Sequence, residues 1–374
     1  MSEAKFDAIV VGAGHNGLVA ALRMARAGLR TLVLEEKPVV GGAVRTERPF
    51  AKAPQLGTST GAYLLGLMPP ELIAELQLDV PVLRRDPHYF LPTTGKPYLL
   101  FGSDPAAMRA QFLQFFSEAD WKANEALNAE IAAMRDDIAP TWMREPLTIE
   151  QTADQFVRPA LREHFVKLCR GSVGEYIERF GFKSDLLKAM YAVTDGFSGL
   201  HGGWDTPGTG MNFLIHNMCR LPGADGTWMI VRGGMGAITQ QLAAKVQAAG
   251  GEIRLNAGVD RLLVREGVAE GVRLSNGDEL RARTVLVNAD PFKLRAMIGD
   301  ANLPEAWKRR VDGYRRDGTT FKVNLALNGL PKFTCLPENR GQYGPTIHLL
   351  PDEPDVMRLM REGYADVCAG RLPE

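Results

Sequence analysis

Residues 6–35 read FDAIVVGAGHNGLVAALRMARAGLRTLVLE, and this stretch decides how the rest of the chain is interpreted. Phe6–Val11 is a short run that is apolar apart from Asp7, which is typical of a strand buried on both faces of a parallel sheet. A glycine turn follows, and residues from about His15 to Ala27 then carry one apolar helical face. Leu29–Leu34 is expected to be the second strand, and Glu35 follows it. The stretch therefore predicts a β-α-β unit.

The glycine turn has the residue types that a bound pyrophosphate requires. Gly12 permits the tight turn out of the strand, Gly14 lacks the Cβ that would keep a phosphate from the backbone, and Gly17 lets the helix lie close to the sheet. The helix N-terminus would then direct its free N–H groups at the phosphates. Ala13 and Asn16 belong to the same turn, and we predict that they also contact the cofactor.

Glu35 follows the turn at about 20 residues, the separation at which an acid accepts hydrogen bonds from the adenosine ribose. An acid at this position argues against a 2′-phosphate on that ribose. A glycine turn alone is weak evidence, but two strands, a helix and a correctly placed acid together indicate an adenine dinucleotide. The alternative is a β-α-β unit that binds no nucleotide.

The next residues read EKPVVGGAVRT (36–46), and they separate FAD from NAD. A glycine pair soon after the ribose acid allows a second close approach of backbone to ligand. Here the sequence resembles the amine oxidase and phytoene desaturase superfamily of flavoproteins, in which a GG(R)xxT segment runs beside FAD. This chain has Ala43 where the family has arginine, with Arg45 two places on. The resemblance implies FAD contacts from Glu36, Gly41, Gly42, Ala43 and Thr46; the alternative is a surface loop with two glycines.

The resemblance returns at 228–292, where WMIVRGGMG (228–236) precedes a predicted helix. Strands are expected at about 252–255, 259–264 and 268–274, with Asn276-Gly277 as a hairpin turn before 279–282. The apolar run 284–288 is expected to return to the main sheet as a separate strand. Within the resemblance, the backbone of Val259 lies against the adenine and Ala289 lies near the cofactor.

Helical patterns dominate the intervening residues. Ser103-Asp104-Pro105 is a helix start, and Leu127, Ile131, Met134 and Ile138 form a core stripe on the next helix. A glycine-rich connector at 195–210 suits either a ligand-facing loop or a solvent loop. His201 in this connector, His216 just after it and Tyr63 earlier in the chain are expected to be structural and not catalytic.

These observations predict an α/β fold with a Rossmann-like FAD-binding domain of the GR2 type, a β-meander and an inserted, mixed but largely helical substrate domain. The first FAD-binding segment is expected at 1–102 and the helical insertion at 103–227. The second FAD-binding segment is expected at 228–292. The substrate domain continues at 293–374 and is expected to be incomplete at its C-terminus, because the closing GD-type strand and helix of the family are not visible. A fragment is the favoured explanation; a partner chain that completes the site and a degenerate product are the alternatives.

Composition excludes several other classes. Lys+Arg and Asp+Glu are equal at 44 each, so no global charge recruits nucleic acid or an anionic membrane, although a local patch could contact a membrane. No apolar run is long enough for a transmembrane helix, and the N-terminus leaves no room for a leader peptide. No two of the four cysteines form CxxC, and no metal-ligand spacing is present. A cytoplasmic location follows, or the mitochondrial matrix in a eukaryote.

The predicted function is FAD-dependent oxidation, in which a C–H bond of a largely apolar small molecule loses hydride to the flavin. The sequence singles out no catalytic residue, substrate, electron acceptor or oligomeric state. Two alternatives remain at this point. One is a flavin-binding regulatory protein or inactive fragment without turnover of its own, and the other is an NAD-linked dehydrogenase that uses the first fold alone.

Overall fold

The structure is a computed structural model, and it describes residues 5–95, 97–197, 200–315, 318 and 320–373. Ser198 and Gly199 of the predicted glycine-rich connector lie outside the described residues. The strands of the described part are β1 (Phe6–Val11), β2 (Thr31–Leu34), β3 (Thr46–Glu47), β4 (Thr58–Ser59), β5 (Val82–Leu83), β6 (Tyr89–Pro92), β7 (Tyr98–Phe101), β8 (Ile230–Val231), β9 (Glu252–Arg254), β10 (Val259–Arg265), β11 (Val268–Leu274), β12 (Glu279–Val287) and β13 (Thr346–Ile347).

The α-helices of the same residues are α1 (His15–Arg26), α2 (Pro70–Leu76), α3 (Pro105–Phe115), α4 (Glu118–Ile138), α5 (Ile149–Gln155), α6 (Arg162–Arg170), α7 (Val173–Glu178), α8 (Asp185–Tyr191), α9 (Thr209–His216), α10 (Gly236–Ala248), α11 (Pro291–Ile298), α12 (Glu305–Gly313) and α13 (Val356–Cys368). A π-helix at Ala192–Gly196 continues α8. No described helix is long and apolar enough to cross a membrane.

The chain forms two compact units. The first, the Rossmann-like unit, comprises Met1–Leu64, Gln77–Val82 and Ile230–Arg316. The second, the helical unit, comprises Leu65–Leu76, Leu83–Met229 and Asp317–Glu374. These bounds differ from the predicted segments at two places. Most of residues 65–102 belong to the helical unit. Residues 293–316 belong to the Rossmann-like unit, because α11 packs against β10.

The Rossmann-like unit is built on a six-stranded sheet in the order β10-β11-β12-β1-β2-β9. β1 pairs in parallel with β2 and β12, while β10, β11 and β12 form an antiparallel meander. The apolar run of β1 is buried, as predicted for a strand inside a parallel sheet. Helix α1 buries one face, which includes Leu18 and Leu22, and ends one residue earlier than predicted. The second strand begins at Thr31, two residues later than predicted.

The prediction of a separate return strand was wrong. β12 is one nine-residue strand, and it replaces the two predicted strands at 279–282 and 284–288. Its first residues pair antiparallel with β11, and Ala282–Val287 then pair in parallel with β1. Only Arg283 separates the two predicted segments, so no turn could form between them. One strand therefore carries the meander directly into the parallel sheet.

The helical unit packs its helices around one large core, and a small sheet in the order β13-β6-β7 adjoins it. Helix α4 carries the predicted stripe Leu127, Ile131, Met134 and Ile138, and this stripe is buried in that core. Ser117 caps the first turn of α4 by accepting from the Asp120 N–H. In the Rossmann-like unit Tyr63 is 60% exposed, so its side chain is not part of a packed core.

Candidate cofactor site

The turn after β1 is held by backbone contacts that only glycine permits. Gly12 has φ +96°, and its N–H donates to the Leu34 carbonyl oxygen over 2.7 Å. A Cβ at Gly17 would lie 2.2 Å from the Gly12 carbonyl oxygen. Because Gly17 lacks that atom, α1 starts directly against the end of the sheet.

The N-terminus of α1 is open to a ligand. Gly14 is the residue before the helix, and no described side chain caps the first turn through a hydrogen bond. The first turn also contains no acidic residue. Its backbone N–H groups and the positive end of the helix dipole are therefore available to an anion.

Glu35 lies directly behind the turn. The residue is only 7% exposed. Its carboxylate accepts a hydrogen bond from the Ala13 N–H at Oε2 over 2.8 Å and another from the Lys37 N–H at Oε1 over 2.9 Å. Each oxygen retains acceptor capacity after these bonds, because a carboxylate oxygen has more than one lone pair. Glu35 can thus hold the turn in shape and still accept hydrogen bonds from a ribose.

The predicted second glycine pair meets the first turn. The Gly41 N–H donates to the Ala13 carbonyl oxygen over 2.8 Å, and Gly14 forms an isolated parallel bridge with Gly41. Gly41 has φ +123° and Gly42 has φ +55°, and a Cβ on Gly42 would lie 3.1 Å from the Gly14 Cα. The two segments therefore form one glycine-lined cradle, defined here as residues 12–17 and 41–42.

The start of helix α10 braces the segment after that cradle. Thr46 Oγ1 accepts the Gly236 N–H over 3.1 Å, and Thr239 Oγ1 donates to the Val44 carbonyl oxygen over 2.8 Å. A Cβ on Gly236 would lie 2.6 Å from the Thr46 N, so the close approach requires glycine. The start of α10, at the end of the sequence VRGGMG (231–236), thus holds residues 44–46 in place.

The arginine of this loop already has an anionic partner. Arg45 Nε lies 3.2 Å from Glu47 Oε1, with both side chains partly exposed. The hydroxyl of Thr60, with help from Arg45, holds the pKa of Glu47 below its usual value. The carbonyl of Ala43, which stands where the family has arginine, accepts the Ala62 N–H over 2.8 Å.

The remaining predicted residues are more accessible to solvent than Ala13 and Glu35. Asn16, Glu36, Ala43, Thr46 and Ala289 are exposed, and Val259 is half-buried at the start of β10. The Glu35 carbonyl oxygen accepts the Ala257 N–H over 2.8 Å, and Gly258 approaches Glu36, so the residue before Val259 adjoins the ribose acid. The structure thus brings Ala13, Glu35 and the glycines together directly.

Sequence reasoning missed Asn288. The residue directly follows β12, and its Nδ2 lies 3.4 Å from the Gly12 carbonyl oxygen and 3.0 Å from the position a Cβ on Gly14 would take. The Asn288 N–H also donates to the Val11 carbonyl oxygen over 2.8 Å. The available signal was a single amide side chain closing an otherwise apolar run, TVLVN at 284–288.

The cradle fits the pyrophosphate and adenosine parts of FAD. It offers a Cβ-free surface at Gly14, uncapped N–H groups at α1 and a buried carboxylate with free acceptor capacity.

The comparisons with known proteins agree with this geometry. The family model "Flavin containing amine oxidoreductase" matches residues 17–331. The chain is 31% identical to "Pyridine nucleotide-disulfide oxidoreductase domain-containing protein 2" of Mus musculus, over 98% of this chain and 68% of that protein. It is 25% identical to "4,4'-diapophytoene desaturase (4,4'-diapolycopene-forming)" of Methylomonas sp, over 75% of this chain and 53% of that protein.

Among solved structures, wild-type putrescine oxidase bound to putrescine shares the fold. Its TM-score is 0.54 at 19% identity, over 82% of this chain and 63% of the other. The chain spans about two thirds of the length of the mouse and rat proteins that it matches, at 68% and 64%. The predicted resemblance to the amine oxidase and phytoene desaturase superfamily and the predicted α/β Rossmann-like fold are confirmed. The chain belongs to the flavin-containing amine oxidoreductase family of FAD-dependent oxidoreductases, and FAD is its cofactor.

Proposed function

We propose that this protein oxidises a largely apolar small molecule by removing hydride from one of its C–H bonds. The observation that supports it most directly is the preformed glycine cradle with Glu35 behind it. FAD would supply the two-electron acceptor for this chemistry. The chain's own residues would bind the cofactor, orient the substrate and exclude water.

We assign cofactor binding to the residues predicted from the sequence, together with Asn288. The backbone of Gly12, Gly14 and Gly17 would face the pyrophosphate, and Glu35 would accept hydrogen bonds from the adenosine ribose. Val259 would adjoin the adenine. The remaining contacts would come from Ala13, Asn16, Glu36, Gly41, Gly42, Ala43, Thr46 and Ala289.

The apolar substrate is supported by a relative and by the composition of the helical unit. The Methylomonas relative is named as a desaturase of 4,4'-diapophytoene. The helical unit offers a large apolar core built from α3, α4, α6, α7, α8 and α9, and we propose it as the substrate-binding part.

The cofactor part of the proposal is tested on Glu35→Gln. Both oxygens of the Glu35 carboxylate accept a backbone N–H, one from Ala13 and one from Lys37. In the variant the side-chain NH2 group replaces one of these oxygens, so one of the two backbone N–H groups loses its acceptor. We expect the purified variant to retain less FAD than the wild-type protein, with weaker FAD binding by about tenfold or more. Glu252→Gln, on β9 of the same unit and 46% exposed, is the matched control and should retain wild-type FAD.

The oxidation itself is tested by mixing the FAD-loaded protein anaerobically with a panel of apolar polyenes, terpenes and alkylamines. Loss of the visible flavin absorbance band would identify substrates, and mass spectrometry should show products two hydrogens lighter. The proposal would be contradicted if dithionite reduces the bound flavin but no member of an extended substrate panel does. Protein purified without any flavin would contradict the cofactor assignment as well.

A further inference from the structure

Residues 41–44 form a β-turn that carries the second glycine pair of the cradle. The Val44 N–H donates to the Gly41 carbonyl oxygen over 2.8 Å, which closes the turn. Gly41 and Val44, at the two ends of the turn, are buried, while Gly42 and Ala43 between them are exposed. The exposed tip is therefore the part of the turn that a ligand can reach, and the buried ends are the parts that the protein holds.

Among the described residues, three hydrogen bonds join this turn to other parts of the Rossmann-like unit. The Gly41 N–H donates to the Ala13 carbonyl oxygen over 2.8 Å. The Ala62 N–H donates to the Ala43 carbonyl oxygen over 2.8 Å. The third bond comes from a side chain, because Thr239 Oγ1 donates to the last carbonyl oxygen of the turn over 2.8 Å. Only this third bond can be removed by substituting a side chain.

Thr239, on α10, packs against both ends of the turn. The residue is completely buried, and a Cβ on Gly41 would lie 2.9 Å from its Oγ1. The hydroxyl can approach this closely because Gly41, with φ +123°, has no side chain. A hydroxyl removed from water costs free energy unless it finds a hydrogen-bond acceptor, and the Val44 carbonyl oxygen is such an acceptor. The side chain thus contacts the first residue of the turn and bonds the last.

The Thr239 hydroxyl has a second acceptor within its own helix. The Gly236 carbonyl oxygen, three residues earlier, lies 3.1 Å from Oγ1. A hydroxyl has one hydrogen, so it donates fully to only one of the two carbonyl oxygens, and threonine in helices often bonds such an earlier carbonyl group. If the turn moves away, the hydroxyl keeps an acceptor and only the Val44 carbonyl oxygen loses its partner. The turn can therefore leave α10 at the cost of about one hydrogen bond.

We propose that Thr239 is a positioning residue, whose hydroxyl holds the glycine pair where FAD requires it and so slows release of the cofactor. This role rests on the proposed placement of FAD in the cradle, and not on the reaction that the cofactor carries out. While the hydroxyl bonds Val44, the turn is in place before FAD binds, so binding does not have to order it. Without that bond, a smaller fraction of the free protein has the turn in place, and the apparent dissociation constant rises by the same factor.

The test removes the Thr239 hydroxyl from the full chain and measures FAD binding without any substrate. Thr239→Val keeps the shape of the side chain and loses the donor. We expect its dissociation constant for FAD, measured by titration of the apoprotein with flavin fluorescence, to rise about tenfold, which corresponds to one hydrogen bond. FAD should also leave the loaded variant faster after dilution. Thr239→Ser keeps the hydroxyl and should bind and release FAD as the wild type does.

Thr31→Val is the matched control, because it removes the same atoms from another buried threonine of the same unit. Thr31 Oγ1 donates to the Leu29 carbonyl oxygen over 3.0 Å. Thr31 begins β2, and Glu35 follows the other end of that strand, so the lost hydroxyl does not contact the cradle. We expect Thr31→Val to keep the FAD affinity of the wild type. If Thr239→Val does not fold, Thr239→Ala and Thr31→Ala make the same comparison without the added methyl group.

Wild-type FAD affinity in Thr239→Val would overturn the role of Thr239. So would equally weak binding in Thr239→Ser or in Thr31→Val, because the loss would then follow from packing or from general stability and not from the hydroxyl. Gly14→Ala separates this failure from a failure of the proposed FAD placement. If Gly14→Ala also keeps wild-type affinity, FAD does not bind in the cradle. If Gly14→Ala weakens FAD binding and Thr239→Val does not, the placement stands and only the role of Thr239 is refuted.

Discussion

Alanine at Gly14 and alanine at Gly17 should separate cofactor binding from folding, because the same added methyl group meets different neighbours. At Gly17 the Cβ would lie 2.2 Å from the Gly12 carbonyl oxygen and 2.9 Å from Asn288 Nδ2. The backbone oxygen cannot move unless α1 shifts away from the sheet. We expect Gly17→Ala to lower the free energy of unfolding by about 3 kcal/mol, as for an overpacked core position.

At Gly14 the backbone tolerates alanine. Its φ is −69°, and the added Cβ would meet Asn288 Nδ2 at 3.0 Å and otherwise only the Gly42 Cα at 4.0 Å. The amide can move by a few tenths of an ångström, so the change in unfolding free energy should stay below about 1 kcal/mol. The methyl group would occupy the surface that a pyrophosphate must approach. Losing one charge-assisted hydrogen bond there costs about 1.5–3 kcal/mol, which weakens FAD binding by about 10- to 100-fold.

The assay pairs urea unfolding of the apoprotein with fluorescence titration of FAD. Gly313→Ala is the matched control, since no atom of the described residues lies within 4 Å of its added Cβ and it lies in the same unit. That control should change neither quantity. Wild-type FAD affinity in Gly14→Ala, or wild-type stability in Gly17→Ala, would refute the reasoning from the cradle.

Three further predictions follow from other parts of the molecule. Leu127 is 2% exposed in the core of the helical unit, so Leu127→Ala should cost about 2–5 kcal/mol in urea unfolding, while Leu113→Ala, at 43% exposure, should cost little; equal losses would contradict the core assignment. Asn288→Asp should weaken FAD binding, because a carboxylate would replace the amide that lies 3.4 Å from the Gly12 carbonyl oxygen; an unchanged FAD titration would remove Asn288 from the site. Burial raises the pKa of Asp195 from 3.8 to about 7, so the native state holds this proton more tightly than the unfolded chain does, and stability falls as pH rises through that window. The free energy of unfolding of Asp195→Asn should therefore equal that of the wild type at about pH 4 and exceed it by up to about 4 kcal/mol at about pH 8. Urea unfolding at both pH values measures the difference. A difference that does not change with pH would show that the carboxyl is not held protonated.

Much of the Rossmann-like unit could be predicted because its signals are local. A buried strand is recognisable from one short, mostly apolar run, as at Phe6–Val11, and a long helix from one periodic stripe, as on α4. The error at β12 has the opposite cause. Its two halves face different partners, antiparallel β11 and parallel β1, and local patterns do not reveal a change of partner within one strand.

By itself, the sequence determined the β-α-β unit, the need for glycine at its turn and the acid at its end, because each depends on residues close together in the chain. Only the tertiary structure decided which distant groups complete those features. It placed Asn288 against Gly12, joined Gly41 to Ala13, and surrounded Asp195 with protein beside His216. Burial and partner distance arise from packing between segments far apart in sequence, and they change the chemistry of a carboxyl without changing its residue type.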